Sequence, residues 1–493
     1  MKRFGVLAFP VLLSLLSAAS AWSQWQCLYA TWDDGDSNGT GHNTPNLAII
    51  KQDMFVALVN TPGVRSFLIP YVNADSARGR VYSYGYGSAT SGIYQNWYAS
   101  ALDQVRLQNP GAMVATPDSS IYVANNDELH NVLVFKYRND SIRVVPPYPR
   151  TVAGITSIYG LAVDQNGYVY ACNDTTVGDD YDVKVFRPAN LWAPTHDELP
   201  VSTVNLPDGV YKGIAVSPNG QQLFIADYTN RRVRKYVGSP TTGYTLVPGF
   251  NFQLGPADTL PAYPAGTLPR RAKPIGLKYL SPNNILFVAC DSMIGVSTAG
   301  LSTSYRYGRI YLVNPNTGTL VGSDPSLNTI DVARWNYIQL DSSYTNRVDG
   351  KIPGNASGYT STYDVEFDQQ GYLYSQSTFG WTVEKWRFNG TLPTIATVEE
   401  IPGVVPESYR LEQNYPNPFN PTTSIEFSIL QPALVSIKVY NVLGQEIASL
   451  VNEHKRVGTY RVVFDARRLA SGTYLYRMVA GGYAETRRMT IIK

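Results

Sequence analysis

The chain has 493 residues and a formal net charge of +2, with 44% hydrophobic and 16% charged residues. So even a balance excludes the concentrated basic face that nucleic-acid binding needs, and three cysteines, Cys27, Cys172 and Cys290, cannot form an even disulfide framework. Its 36 tyrosines, 40 glycines and 32 prolines suit an extracellular β protein with many turns.

At the start, Met1-Lys2-Arg3 is positive, Phe4 to Leu16 is apolar apart from Pro10 and Ser14, and Ser17 to Ser23 is rich in small residues. This order predicts a signal peptide over 1–23, cleaved after Ala21 or Ser23. The apolar stretch is too short to span a bilayer, and no later stretch is long and apolar enough. Gln24-Trp25-Gln26 ahead of Cys27 are the wrong residues for a lipid-anchor motif.

The next feature is Asp34-Gly35-Asp36-Ser37-Asn38-Gly39. Asp34, Asp36 and Asn38 carry oxygens at alternate positions before a glycine, which is the first half of a calcium loop. The bidentate acid that should close the loop falls on Pro45, so Asp53 would have to fold back to replace it. Calcium is thus the one cofactor the sequence raises, against a plain polar loop.

The middle of the chain repeats. Gly160 to Ala171, Gly213 to Ala226, Gly276 to Ala289 and Asp364 to Tyr374 align almost position for position, and Gly111 to Ala124 fits with one insertion. Arg80-Val81-Tyr82-Ser83 reads as the ending of a first, degenerate copy. Each unit is a strand, a tight turn rich in Asp, Ser, Asn and Gly, and a second strand, which makes a hairpin. A third strand follows at Asn131 to Tyr137, Asp182 to Phe186, Arg231 to Tyr236, Gly308 to Val313 and Thr382 to Phe388. One such sheet cannot bury both faces alone, but sheets stacked radially can. An all-β chain with a β-propeller of six blades over 24–402 is expected, with five or seven left open; the growing distance between copies must emerge as loops.

Gly213 to Val233 resembles the propellers of the NHL and gluconolactonase/regucalcin-like group, and the likeness runs at blade level over about 70 to 390. In enzymes of that group the residue before the repeat's first Gly often supplies an oxygen to a divalent cation. The matching residues here are Pro110, Tyr159, Lys212, Ile275 and Tyr363, none with a carboxylate or amide. Asn125, Asn173, Asp174, Asp227 and Asp291 follow the second strands instead and form a candidate axial ligand surface, against a structural role bonding loop backbone. Asp364 and Glu366 fall on one side of a strand, where a solvent or loop role is expected. His42, His130, His196 and His454 lack metal-ligand spacing.

After a linker at 403–410, residues 411–493 alternate apolar and polar positions over Ser424 to Ile429, Val435 to Tyr440, Ile447 to Val451, Thr459 to Phe464, Thr473 to Val479 and Met489 to Ile492. Gly444, Gly458 and Gly472 punctuate them, the pattern of a small immunoglobulin-like β-sandwich. The Pro-rich segment through Pro421 is expected as an extended lead-in at the sheet edge. Asn417-Pro418-Phe419-Asn420, then Val439 to Glu446 around Gly444, then Ser471-Gly472-Thr473-Tyr474 resemble the C-terminal type A sorting domain of type IX secretion cargo. The resemblance implies a partner, the type IX secretion machinery, and a secreted or cell-surface bacterial protein with no transmembrane helix in its mature chain.

Two functions are then open for the propeller: a non-catalytic module that binds an extracellular glycan or protein through tyrosine-rich loops, or a lactonase-like hydrolase or lyase with an atypical axial site. The Gly-x-Ser-x-Gly elbow and the Walker-type glycine loop are both missing from the sequence.

Overall fold

The computed structural model describes residues 24–30, 43–51, 54–61, 65–72, 97–100, 103–105, 111–125, 131–138, 141–144, 158–173, 182–192, 198–250, 252–254, 259–260, 270–291, 308–332, 362–377, 382–396, 398–401, 403, 406–467 and 469–493. The signal segment and Asp34, Asp36 and Asn38 lie outside them.

Six sheets form the blades of a propeller. Their inner strands are Asn43–Lys51, Ala112–Ala115, Ile158–Val163, Tyr211–Val216, Lys273–Leu280 and Thr362–Phe367, and we number the blades 1 to 6 in that order. Each inner strand packs beside the next, and that of blade 6 returns to blade 1, so the ring closes. Blade 1 has three described strands, Asn43–Lys51, Met54–Thr61 and Arg65–Val72. Arg80–Ser83, read from the sequence as the ending of a first copy, lies outside the described residues. The first hairpin of blade 1 pairs Lys51 with Met54, and the sequence between them lacks the Asn-Gly that marks blades 3 and 4.

The N-terminal strand Trp25–Ala30 pairs with Thr382–Phe388 and becomes the fourth strand of blade 6. First and last segments of the propeller thus share one sheet. Trp25 is buried; its ring meets Phe287 of blade 5 edge-on at 6.1 Å and Phe388 at 5.1 Å, and its indole N–H donates to Leu327 O at 3.1 Å.

The second strands read as continuous apolar runs because both of their faces are covered. Ser120–Ala124 and Val169–Asn173 are buried at every position. Apolar clusters accordingly lie between blades: Tyr170, Val183 and Ile225 join blades 3 and 4, Phe224 and Leu286 join blades 4 and 5, and Phe287 and Val365 join blades 5 and 6. Each such side chain contributes about 1.5–3 kcal/mol by leaving water. The repeat's glycine is explained by the same crowding. A Cβ on Gly213 of blade 4 would stand 1.9 Å from Ile275 O of blade 5, and one on Gly160 would meet Lys212 O at 3.1 Å.

The C-terminal residues form a two-sheet sandwich. One sheet orders Val398–Ile401, Gly458–Asp465, Thr422–Ile429 and Arg410–Leu411; the other orders Glu446–Lys455, Ala433–Tyr440, Gly472–Ala480 and Tyr483–Ile491. Inward residues such as Ile425, Phe427, Ile437, Val462, Tyr476 and Met489 make one core, as the alternation requires. Val398–Ile401 corrects an expectation: the sequence placed it in the propeller, yet it pairs with Gly458–Asp465. An open sheet edge takes any extended neighbour of suitable pattern, and Val398 and Ile401 supply it. Just ahead, Asn283 Nδ2, Asn284 Nδ2 and Asn316 Nδ2 of blade 5 and its neighbouring turns donate to the carbonyls of Leu392, Pro393, Ile395 and Ala396.

Candidate functional site

The six inner strands enclose a channel of about 1210 Å3 on the ring axis. It runs from the starts of these strands, where Asn46, Tyr159, Lys212, Ile275 and Asp364 line it, to the hairpin turns at their ends, carrying Asp164, Pro218 and Asp368. Lys212 Nζ sits 3.8 Å from the centre of the Tyr159 ring. Lys278 Nζ reaches across to Glu366 Oε2 at 2.5 Å.

Asp364 occupies the place that glycine holds in blades 3, 4 and 5. Its Oδ2 accepts from Leu47 N at 3.1 Å and from Asn46 Nδ2 at 3.3 Å, both in blade 1, while Oδ1 accepts from Val365 N at 2.9 Å. Burial, then the neighbouring Glu366 carboxylate, push its pKa up to about 7 against the opposing hydrogen bonds. The period of two does put Asp364 and Glu366 on one side of a strand, but that side is the channel wall and not solvent. The cue available in the sequence was the break in the repeat, an Asp in a glycine position. Asn46 and Lys278 had no such cue, since a single polar residue in an inner strand is unremarkable until six strands meet on an axis.

The second-strand residues stand elsewhere. Asn125, Asn173 and Asp227 are buried and none lines the channel, because the second strand is one strand removed from the axis. Asp227 accepts from Asn230 N at 2.9 Å and from Arg234 Nε at 2.8 Å, which fixes the turn after its strand. Asp174 and the side chain of Asp291 lie outside the described residues, as do Pro110 and the side chain of Tyr363. Among the described residues no three His, Cys, Asp or Glu side chains gather as a metal site.

At the far mouth Asp164 Oδ1 accepts from Asn166 N and Tyr168 N while Oδ2 accepts from Tyr170 OH, and Asp368 repeats this with Gln370 N, Tyr372 N and Tyr374 OH. Tyr170 OH also lies 2.9 Å from Tyr244 OH of blade 4, which stitches two blades together at the rim.

In the C-terminal sandwich, Asn417 Oδ1 accepts from Thr490 N at 2.9 Å and buried Phe419 pairs its backbone with Thr490 and Ile492. Pro418 and Asn420 are exposed on either side of it. The Pro-rich lead-in therefore plugs one end of the sandwich with Phe419 while Arg410–Leu411 forms the sheet edge. Gly444, at φ +79°, closes a turn in which Asn441 Oδ1 accepts from Leu443 N and Gln445 N. The tip of that turn leaves Val442 and Leu443 69% and 80% exposed. Gly472 opens the strand that carries Tyr474, whose ring packs on the core.

Residues 413–493 match the family model described as secretion system C-terminal sorting domain. This tail is a type IX secretion sorting domain. The sorting domain marks the chain as exported bacterial cargo, secreted or at the cell surface, that engages the type IX machinery. Among the described residues no helix is long and apolar enough to cross a membrane. No curated protein matches the chain. Among solved structures it is similar to PorZ, a surface component of the type IX secretion system of Porphyromonas gingivalis, at 13% identity and a TM-score of 0.37, over 91% of this chain and 52% of that one. The chain thus spans about half the length of PorZ. A Lactobacillus plantarum protein is similar at 10% identity and a TM-score of 0.37, over 85% of this chain and 87% of that one. Regucalcin from Agrobacterium tumefaciens is similar at 9% identity and a TM-score of 0.31, over 54% and 74%. Likeness this low carries no functional inference, and the propeller stands on the chain's own sheets.

Proposed function

We propose that the protein is an exported binding module that takes a glycan in its axial channel and does not transform it. The observation that carries this reading is the state of the channel wall: its described carboxylates are engaged within the fold. Glu366 is held by Lys278, Asp364 by blade 1, and Asp164 and Asp368 by their own turns. What remains for a ligand is an aromatic and cationic surface, Tyr159 with Lys212, beside polar edges. Aromatic rings with polar neighbours suit the apolar faces and hydroxyls of sugars. Signal cleavage after Ala21 or Ser23 fits this reading, since it would spare the closing strand that begins at Trp25.

The test is a thermal-shift screen of the full chain against a glycan library, followed by titration of the hits. Tyr159→Ala and Lys212→Ala should each weaken a hit about tenfold, the range for losing one good contact. Hits that ignore both changes would place the site outside the channel and contradict this reading.

One observation favours a second reading, hydrolysis or lysis at an atypical axial site. A buried carboxyl whose pKa is raised to about 7 is the kind of group that serves as a general acid. Turnover of a lactone or glycoside that Asp364→Asn abolishes would establish it.

A further inference from the structure

The seam between blade 6 and blade 1 carries a polar cluster that reaches from the channel wall, at Asp364 and Asn46, back to Gln376, which does not line the channel. Asp364 and Gln376 are directly opposed cross-strand partners, so their side chains share one face of blade 6 with Cβ atoms about 5 Å apart. That face meets blade 1, where Leu47 packs on Tyr374 and Val383. Gln376 is fully buried, and neither its Oε1 nor its Nε2 has a hydrogen-bond partner; Asn46 Oδ1, on the amide that touches Asp364, has none either. Native proteins leave few buried polar atoms unmet, and those that remain unmet point to a bound water or ion.

We propose that a calcium ion binds in the blade 6 to blade 1 seam, held by the Asp364 carboxylate, Gln376 Oε1 and Asn46 Oδ1. The donors are all hard oxygens, which suit calcium, and calcium accepts amide carbonyls in irregular geometry where magnesium demands a regular octahedron. Charge argues for a cation over a water alone. Lys278 is engaged by Glu366, and among the described residues no ion pair is made to the buried Asp364 carboxylate. One carboxylate with two neutral amides is a weak set, which places the affinity near about 0.1–1 mM, in the range of extracellular calcium modules. The ion would lie at the joint where the ring closes, between the channel wall and the second strand of blade 6.

The experiment uses the full chain stripped with EDTA, titrated with calcium chloride and followed by melting temperature and by bound calcium after equilibrium dialysis. Wild type should bind one ion at this seam, with its melting temperature rising half-maximally near about 0.1–1 mM. Asp364→Asn and Gln376→Leu should each weaken that event at least tenfold, while the double variant Asp34→Ala/Asp36→Ala keeps it. If Gln376→Leu fails to fold, the nearly isosteric Asp364→Asn decides alone. The proposal is overturned if wild type binds no calcium, which leaves an ordered water only, if either seam variant binds as tightly as wild type, or if the Asp34/Asp36 variant abolishes binding.

Discussion

Two positions on the inner strands show how one residue decides what a blade seam does. Gly213 exists to let blade 5 approach: the carbonyl of Ile275 stands where a Cβ would be. Gly213→Ala should therefore cost about 3 kcal/mol, read as a lower denaturation midpoint with an unchanged slope. Asp364 stands at the equivalent place and instead bonds the backbone of Leu47. Its folded-state pKa, about 7, lies above the ordinary 3.8, so between those values the folded protein keeps a proton that the unfolded chain has lost. Stability from this group is complete below about pH 4 and falls as pH rises toward 7. In EDTA, melting curves across that window should slope downward for wild type and more weakly for Asp364→Asn. Glu366 and Lys278 face the same wall and stay in place in both proteins, which isolates the effect. The glycines were legible because the repeat displays them four times over. The consequence of replacing one by Asp was not, because no pattern within a single strand reveals what the neighbouring blade presents.

Among elements, one strand and one turn have distinct roles in the two domains. Trp25–Ala30 closes the ring, and Trp25→Ala should lower propeller stability by about 3–5 kcal/mol, seen as earlier loss of near-UV tyrosine and tryptophan dichroism on heating. The turn Asn441–Gln445 has a different role: its backbone is fixed by Asn441, yet it holds Val442 and Leu443 out to solvent. Exposed apolar tips on an ordered turn suit contact with a partner. Val442→Asp with Leu443→Asp should leave the melting temperature within about 1 °C, since surface changes seldom exceed ~0.5 kcal/mol, while export into the medium or onto the cell surface falls several-fold by immunoblot. Six of the sandwich strands were readable because apolar residues recur at alternate positions over most of their length. Val398–Ile401 was not, because four residues show too short a pattern to choose between two sheets. The strand Trp25–Ala30 escaped notice for another reason: its partner lies more than 350 residues away, and no local signal carries such a pairing.

At the scale of the whole molecule, an address and a working surface are joined in one chain. The six blades were countable from the copies of one hairpin, and the number stands even though blade 1 lacks the marks of the others. The radial stack explains why: once five blades of fixed width are set around an axis, the remaining gap admits one more sheet of any sequence that can bury both faces. The channel is a property of the ring alone, which is why its wall could not be read from any single repeat and why Asn125, Asn173 and Asp227 were attractive candidates until the second strands took their places off the axis. The central claim is that this channel, and not the loops, receives the ligand. Isothermal titration of the best glycan hit into the exported protein and into Lys212→Ala tests it most directly: the account predicts one site per chain and about tenfold weaker binding in the variant, and equal affinity in the two proteins would contradict it.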